Sequence, residues 1–257
     1  MAIALLHVEV SWISISFDRV AEVYDRTRGL PAQVMERLLE TFRRELGDCR
    51  LVLDFGVGTG RFAKPLQDVG FEVVGIDISG KMIAKARQKR VKNLFLSDAR
   101  FLPFRANCFD AAVSVHLLHL IGEWGKALSE LCRVTRRVMV SLSYERHDPV
   151  REAYNSLLKE RGYEHRRPGK SEQDLMALVH PVRKVFVCSY DVSVDERLIN
   201  LAQRAFSGQW DIPEETIAAV VEQLRHRFAG KMLTQELYLS VWEIADLKSY
   251  LRKTKLV

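Results

Sequence analysis

Short apolar runs alternate with amphipathic or charged segments along the chain. In the first half the apolar runs are CRLVLDFG, EVVGIDIS, NLFLSDA, FDAAVSVHLLHLI and RRVMVSLSY. The first two show no polar–apolar alternation, which is typical of strands buried on both faces of a parallel sheet. Helical segments of about 10 residues, such as KMIAKARQKR, separate the runs. Strands and helices in this order predict a doubly wound, mostly parallel α/β sheet with helices on both faces.

The pattern changes after Tyr144, where charged helical segments become frequent. A sixth strand, VRKVFVCSYDVSV, and a last one, TQELYLSVWEI, complete a predicted sheet of seven strands. The stretches beside the sixth strand, residues 144–182 and 192–232, are predicted to be helical lid insertions over one edge of the sheet. We expect one domain over residues 1–257, in which residues 1–45 form a helical region over the functional site.

Composition adds limits on class and location. The 257 residues are 47% hydrophobic and 28% charged, so the chain can bury a sizeable core. The net charge of +6 permits a nucleic-acid partner without requiring one, because lysines and arginines are spread along the chain. No apolar run approaches the roughly 18 residues that span a bilayer. The first 16 residues lack the basic start and cleavage site of a signal peptide.

Four cysteines, Cys49, Cys108, Cys132 and Cys188, lie far apart, without a CxxC pair or a histidine at ligand spacing. This spacing favours free thiols in a reducing compartment over disulfides or a zinc site. We therefore expect a cytoplasmic protein without a metal centre.

The stretch VLDFGVGTGR, residues 52–61, predicts a sharp turn from a strand into a helix. A P-loop requires GxxxxGK[ST], which is absent, and a dinucleotide-binding turn requires GxGxxG, whereas these glycines are spaced GxGxG. Asp54 precedes the glycines, where a carboxylate would repel a pyrophosphate and attract a cation. The turn therefore predicts close approach of the backbone to a ligand without phosphate.

Polar side chains mark the ends of the first four predicted strands: Asp54, Asp77, Asp98 and His116. The carboxyl ends of parallel strands share one edge of the sheet, where ligands bind in open α/β folds. Three clustered carboxylates repel one another unless a ligand uses them. A cofactor with an amino group, a ribose and an adenine but no phosphate fits all three, and S-adenosylmethionine is that molecule.

Three stretches carry a resemblance to a known family. LDFGVGTGRFAKPL, VVGIDISGKMIAKAR and LSDARFLPFRANCFDAAVSVHLLHLI resemble, in order and spacing, the motifs of class I S-adenosylmethionine-dependent methyltransferases. The resemblance covers roughly residues 17–143 and is greatest to the small-molecule branch that includes quinone-biosynthesis C-methyltransferases. It implies the Rossmann-like methyltransferase fold, with S-adenosylmethionine as cofactor and S-adenosylhomocysteine as product.

The resemblance implies a role for each residue of the turn. The backbone of Gly56, Gly58 and Gly60 would lie against the methionine portion of the cofactor, and Asp54 near its ammonium group. Asp77 would accept hydrogen bonds from both ribose hydroxyls. Asp77 could alternatively cap the following helix, although the next serine is the better cap candidate.

The same resemblance implies which residues would contact the adenine and the sulfonium end of the cofactor. Ile78 and Met82 would pack on the adenine face, Asp98 would accept from its amino group, and the backbone amide of Ala99 would donate to the ring. His116 would lie beside the methionine portion and the sulfonium.

Catalysis of methyl transfer requires mainly that nucleophile, methyl carbon and sulfur are in line. A general base is needed only for weakly acidic nucleophiles. The candidate catalytic residues are His119, on the expected substrate side, and Tyr24, which in the family closes over the cofactor and also contacts it. Arg28 and Arg61 could hold an acidic substrate. A packing role is the alternative for each of these residues.

The substrate is expected to be a small, aromatic or apolar metabolite, because the lid contains Trp210, Phe206, Tyr154 and Tyr163. The basic loop RGYEHRRPGK, residues 161–170, could meet an anionic substrate or RNA. The alternatives are therefore an RNA (tRNA) methyltransferase and a non-catalytic module that binds S-adenosylmethionine. An NAD-dependent oxidoreductase is disfavoured by the GxGxG spacing.

Overall fold

The computed structural model describes residues 14–145, 147–164 and 167–256. Its centre is a sheet of seven strands in the order β3-β2-β1-β4-β5-β7-β6. β7 runs antiparallel to both of its neighbours, and the other strand pairs are parallel. The predicted mostly parallel seven-stranded α/β sheet is confirmed. The strands are β1 (Leu51–Phe55), β2 (Glu72–Asp77), β3 (Leu94–Leu96), β4 (Phe109–Ser114), β5 (Thr135–Glu145), β6 (Arg183–Ser193) and β7 (Met232–Glu243).

Nine of the ten α-helices of the described residues form three groups, and α1 lies outside them. α2, α3 and α4 pack on one face of the sheet, and α5, α7 and α10 pack on the other. α6, α8 and α9 form a separate apolar cluster beyond the sheet. The helices are α1 (Tyr24–Arg28), α2 (Ala32–Leu46), α3 (Ala63–Asp68), α4 (Gly80–Gln88), α5 (Trp124–Val134), α6 (Pro149–Glu160), α7 (Glu172–Leu178), α8 (Val194–Ala202), α9 (Glu214–Phe228) and α10 (Ile244–Thr254).

Successive side chains of the central strands point to opposite faces of the sheet, and helices cover both faces. Val52 belongs to the core under α2–α4, while its neighbour Leu53 belongs to the core under α5, α7 and α10; both are fully buried. This burial on two faces explains why the β1 segment is apolar without alternation.

Three of the four residues that were predicted to end strands do not stand at the last position of a strand. Asp54 is inside β1, one residue before its end, and is buried. β3 ends at Leu96, two residues before Asp98, and β4 ends at Ser114, two residues before His116. His116 lies beyond the strand, and its backbone is left-handed, with φ at 57°. Only Asp77 is the last residue of its strand.

The helix α10 is absent from the sequence-based prediction, which ended with the last strand. Its buried residues Ile244, Leu247 and Leu251 are spaced for one helical face, and they pack in the core shared with α5. Within the described residues, no helix is long and apolar enough to cross a membrane.

Gly60, the last glycine of the turn after β1, provides a test of how tightly this turn is packed. Its φ is 76°, and a Cβ there would lie 2.5 Å from Val91 Cγ2. Gly60→Ala is therefore expected to lower the free energy of unfolding in urea by about 3 kcal/mol. Gly47 is the control, because its φ is 51° but nothing lies within 4 Å of the point that a Cβ would occupy. Gly47→Ala should cost only about 1 kcal/mol; equal losses would show that Val91 can move away.

Candidate functional site

A cavity of about 1050 Å³ opens where the strands end, between the N-terminal segment and the α6–α8–α9 cluster. The turn after β1, the segments that follow β2, β3 and β4, and the helix α1 all contribute to its wall. The wall includes these predicted site residues: Tyr24, Gly56, Gly58, Asp77, Ile78, Met82, Asp98, Ala99, His116 and His119. The predicted residues Asp54 and Gly60 lie behind the wall.

The carboxylate of Asp77 joins the glycine turn to the start of α4. Its Oδ2 accepts from Gly58 N at 2.9 Å and its Oδ1 accepts from Ser79 N at 2.8 Å. Burial raises the pKa of Asp77, and the two backbone donors partly offset this effect. Ser79 is the helix cap, as expected, because its Oγ accepts from Met82 N at 3.1 Å. Asp77 is thus a wall residue whose position is fixed by two loops.

Asp54 is a buried carboxylate directly beneath the turn. It is 4% exposed, and its Oδ2 has no hydrogen-bond partner among the residues that the structure describes. Burial and the nearby charge of Asp77 raise its pKa to about 7, although Arg61 acts in the opposite direction. A positive charge close to this oxygen would favour the ionised form.

The far end of the cavity has an apolar side and an acidic side. Ile78, which is 42% exposed, and the buried Met82 line the apolar side. Asp98 is engaged by Arg100, whose Nη2 donates at 2.7 Å and whose Nε reaches both carboxylate oxygens. Burial would raise the pKa of Asp98, but the hydrogen bonds and charge of Arg100 hold it below its usual range. This partner was not expected from the sequence.

His116 has a strained backbone and an uncharged ring. Its ring stacks on that of Tyr144, with centroids 5.7 Å apart and planes 7° apart. The side chain lines the cavity. Burial, with the positive charges of Arg61 and Arg28, lowers its pKa to about 3. At neutral pH His116 is therefore a neutral wall residue and a weak base.

A buried glutamate, which the sequence reasoning missed, holds the loop that carries both histidines. Glu172, at the start of α7, is 4% exposed. Its Oε1 accepts from Ser114 Oγ at 3.0 Å, from Leu117 N at 2.9 Å and from Leu118 N at 3.3 Å. These three donors flank His116, so the carboxylate stabilises its left-handed conformation. Burial raises the pKa of Glu172, and the donors partly offset the rise.

Gly169 brings the segment before α7 against the same loop. Its amide donates to His119 O at 3.2 Å. A Cβ at this position would overlap the carbonyl oxygens of Leu118 and Ile121, so only glycine fits. The Pro168–Gly169 break in the lid sequence is therefore a close contact with the site.

The N-terminal segment is attached to the cofactor-side loops by polar contacts. Asp25 accepts from Thr59 Oγ1 at 2.6 Å and pairs with Lys89 at 2.6 Å. Asp18 accepts from Ser79 Oγ at 2.5 Å and from Lys81 N at 3.0 Å. These contacts place α1 beside the glycine turn.

Some aromatic residues near α1 line the cavity, and others pack outside its wall. Tyr24 lines the cavity and packs edge-on against Phe17, with centroids 6.0 Å apart. Phe206 and Tyr163 also line it, as does Tyr154, whose hydroxyl accepts from Gln209 Nε2 at 3.0 Å. Trp210 instead packs on Phe17 with centroids 5.2 Å apart, behind the wall. Of the predicted basic loop, His165 and Arg166 lie outside the described residues.

In the described ranges, no group of three or more histidine, cysteine, aspartate or glutamate side chains could hold a metal ion. The four cysteines are free, and three of them are buried.

Comparison with known proteins agrees with this architecture. Residues 53–138 match the protein family described as "Methyltransferase domain". The YcgJ protein of Bacillus subtilis has a similar fold, with a TM-score of 0.52 and 20% identity over 82% of this chain and 99% of that chain.

Two curated relatives have higher identity over shorter stretches. The demethylmenaquinone methyltransferase of Renibacterium salmoninarum is 32% identical over 157 residues, covering 57% of this chain and 65% of the relative. The malonyl-[acyl-carrier protein] O-methyltransferase of Yersinia pestis is 33% identical over 132 residues, covering 51% and 49%. The chain thus spans about half to two thirds of the length of these relatives. Residues 53–138 thus match a methyltransferase domain, as the motifs predict.

The role of Glu172 can be tested with two substitutions. Glu172→Ala leaves three donors without their acceptor and is expected to lower the free energy of unfolding by about 3 kcal/mol. Glu172→Gln keeps the accepting Oε1 and should cost less than about 1 kcal/mol. Urea unfolding of both variants checks this. Equal, small losses would mean that water replaces the carboxylate.

The raised pKa of Asp54 gives the protein without ligand a measurable pH dependence. Below pH 3.8 the group is protonated in both states; between pH 3.8 and about 7 only the unfolded state releases the proton. The stability from Asp54 is therefore lost as the pH rises toward 7, by about 4 kcal/mol. Urea unfolding at pH 4 and at pH 8 gives the difference in stability between Asp54→Asn and the natural protein. From pH 4 to pH 8 this difference should shift in favour of the variant by roughly that amount. A pH-independent difference would contradict the raised pKa.

Proposed function

We propose that the protein transfers the methyl group of S-adenosylmethionine to a small molecule bound in the cavity. The observation that carries this proposal is the carboxylate of Asp77, held beside the glycine turn at the wall of one large cavity. Two carboxylates at this turn suit a cofactor with hydroxyl and ammonium groups better than a pyrophosphate.

The ribose and adenine ends of the cofactor fit the predicted residues. Each Asp77 oxygen accepts one backbone hydrogen bond and can accept another, so both ribose hydroxyls can be bound. Ile78 and Met82 supply an apolar face for the adenine, with Asp98 and Ala99 at its edge. Asp98 would bind the adenine amino group while it remains paired with Arg100.

Two buried polar atoms without hydrogen-bond partners among the described residues support the placement of the methionine end of the cofactor. Asp54 Oδ2 is buried in the strand that leads into the glycine turn, and a nearby ammonium group would favour its ionised form. Arg28 Nη1 is likewise buried without a hydrogen-bond partner among the described residues, and it suits the cofactor carboxylate. Tyr24 and His116 would flank this end. The bound cofactor supplies an electrophilic methyl group on a sulfonium.

The chain's own contribution to the reaction is positioning and exclusion of water. His116 is too weak a base to take a proton at neutral pH. His119 and Tyr24 are the proposed residues for orienting the acceptor, and any proton transfer would fall to them. The contact between His119 O and Gly169 N fixes the backbone of His119 relative to the lid. An acceptor between the lid and the cofactor would be oriented at little entropic cost.

A small-molecule acceptor is supported by the size of the cavity and by the relative that is named for demethylmenaquinone. Phe17, Phe206 and Leu120 give part of the wall an aromatic and apolar character. The free cysteines fit a reducing, cytoplasmic location.

A transfer assay with methyl-labelled S-adenosylmethionine distinguishes the candidate activities. Label should appear in a pool of small metabolites, with an equal amount of S-adenosylhomocysteine formed. Label in total RNA would instead favour the RNA methyltransferase. Binding of S-adenosylhomocysteine without transfer to either pool would favour a non-catalytic module.

Substitution of Asp77 tests the cofactor site. Asp77→Asn and Asp77→Ala should each weaken S-adenosylhomocysteine binding at least about tenfold, because the ribose loses a charged acceptor. Asp68→Asn, an exposed change on α3, is the matched control and should have no effect. Titration calorimetry gives the affinities, and circular dichroism checks the fold. A change below about threefold in both Asp77 variants would mean that Asp77 only positions the turn.

A further inference from the structure

Two neighbouring arginines in the cavity wall lack carboxylate partners. Arg61 donates through Nη1 to Arg28 O, and both side chains line the cavity. In the three described ranges, neither forms an ion pair with an aspartate or glutamate. Arg28 packs 4.0 Å from the centre of the Phe206 ring, and its Nη2 donates to Ala205 O at 3.2 Å. The guanidinium of Arg28 is largely removed from water without an ion-pair partner, which is unfavourable, so an anion is expected from a ligand.

The positive charges converge on one part of the cavity. Arg61, Arg28 and Arg167 all lie close enough to His116 to disfavour its protonation. Burial and Arg61 likewise lower the pKa of Arg28 itself. Three arginines of the cavity wall therefore lie around the His116 imidazole.

The proposed cofactor does not neutralise this charge. S-adenosylmethionine has one carboxylate, one ammonium and one sulfonium group, so its binding adds one positive charge to the cavity. Its carboxylate can satisfy one guanidinium, for which the unpartnered Nη1 of Arg28 is suited. Arg61 then remains, and its one hydrogen bond within the described structure leaves Nε and Nη2 for a ligand.

We propose, on the basis of the proposed function, that the methyl acceptor carries a carboxylate group bound by Arg61 beside His116. A single negative charge balances the guanidinium that the cofactor leaves unpaired, and the planar guanidinium matches a carboxylate in shape. The aromatic wall around Tyr24 and Phe206 suits an apolar body attached to that carboxylate. The acceptor class is therefore an acid with an apolar or aromatic body.

The test uses the full chain saturated with S-adenosylhomocysteine and three matched probe pairs: acetate and acetamide, benzoate and benzamide, 3-phenylpropionate and its amide. Calorimetry or ligand-observed NMR gives the affinities. At least one acid should bind about tenfold or more tightly than its amide. Arg61→Gln should reduce that preference to within about threefold, whereas Arg225→Gln, an exposed change on α9, should leave it intact.

The outcomes separate this inference from the proposed function. S-adenosylhomocysteine is titrated first into each variant, and failure of the natural protein to bind it overturns the proposed function. Binding of S-adenosylhomocysteine with no preference for the acid in all three pairs overturns the carboxylate-bearing acceptor alone. An acid preference that survives in Arg61→Gln overturns the assignment to Arg61.

Discussion

The carboxylate of Asp77 accepts hydrogen bonds from two loops at once, and the arrangement of the site depends on this. Gly58 N fixes the turn after β1, and Ser79 N fixes the start of α4. Burial of a carboxylate costs free energy, which these two donors partly offset. Because each oxygen keeps the capacity for a second hydrogen bond, the group that holds the two loops together also remains available to a ligand.

The outer parts of the cavity are attached to the loops that Asp77 and β4 position. Ser79 Oγ and Thr59 Oγ1 hold the N-terminal segment through Asp18 and Asp25. On the other side, Glu172 holds the turn after β4 through three donors. Both coverings of the cavity are therefore hydrogen-bonded to the loops that face the proposed cofactor. Movement of either covering would disturb those loops, so the cofactor and acceptor parts of the cavity are physically connected.

The sequence predicted the sheet and the glycine turn well because both depend on local pattern: apolar runs, glycine spacing and the Ser79 cap. It failed where partners are distant in the chain. Glu172 looks like an ordinary acidic residue in the first turn of a charged helix, and its acceptor role depends on residues more than fifty positions earlier. The pairing of Asp98 with Arg100 depends on a side-chain direction that spacing does not reveal. The left-handed backbone of His116 likewise follows from tertiary contacts.

The central claim is that this turn and these carboxylates bind an adenosyl cofactor without phosphate. Parallel calorimetric titrations of the protein with S-adenosylhomocysteine and with NAD test it most directly. The account predicts saturable binding of S-adenosylhomocysteine at one site per chain and no measurable heat with NAD. Tight binding of NAD, or no binding of S-adenosylhomocysteine by folded protein, would contradict it.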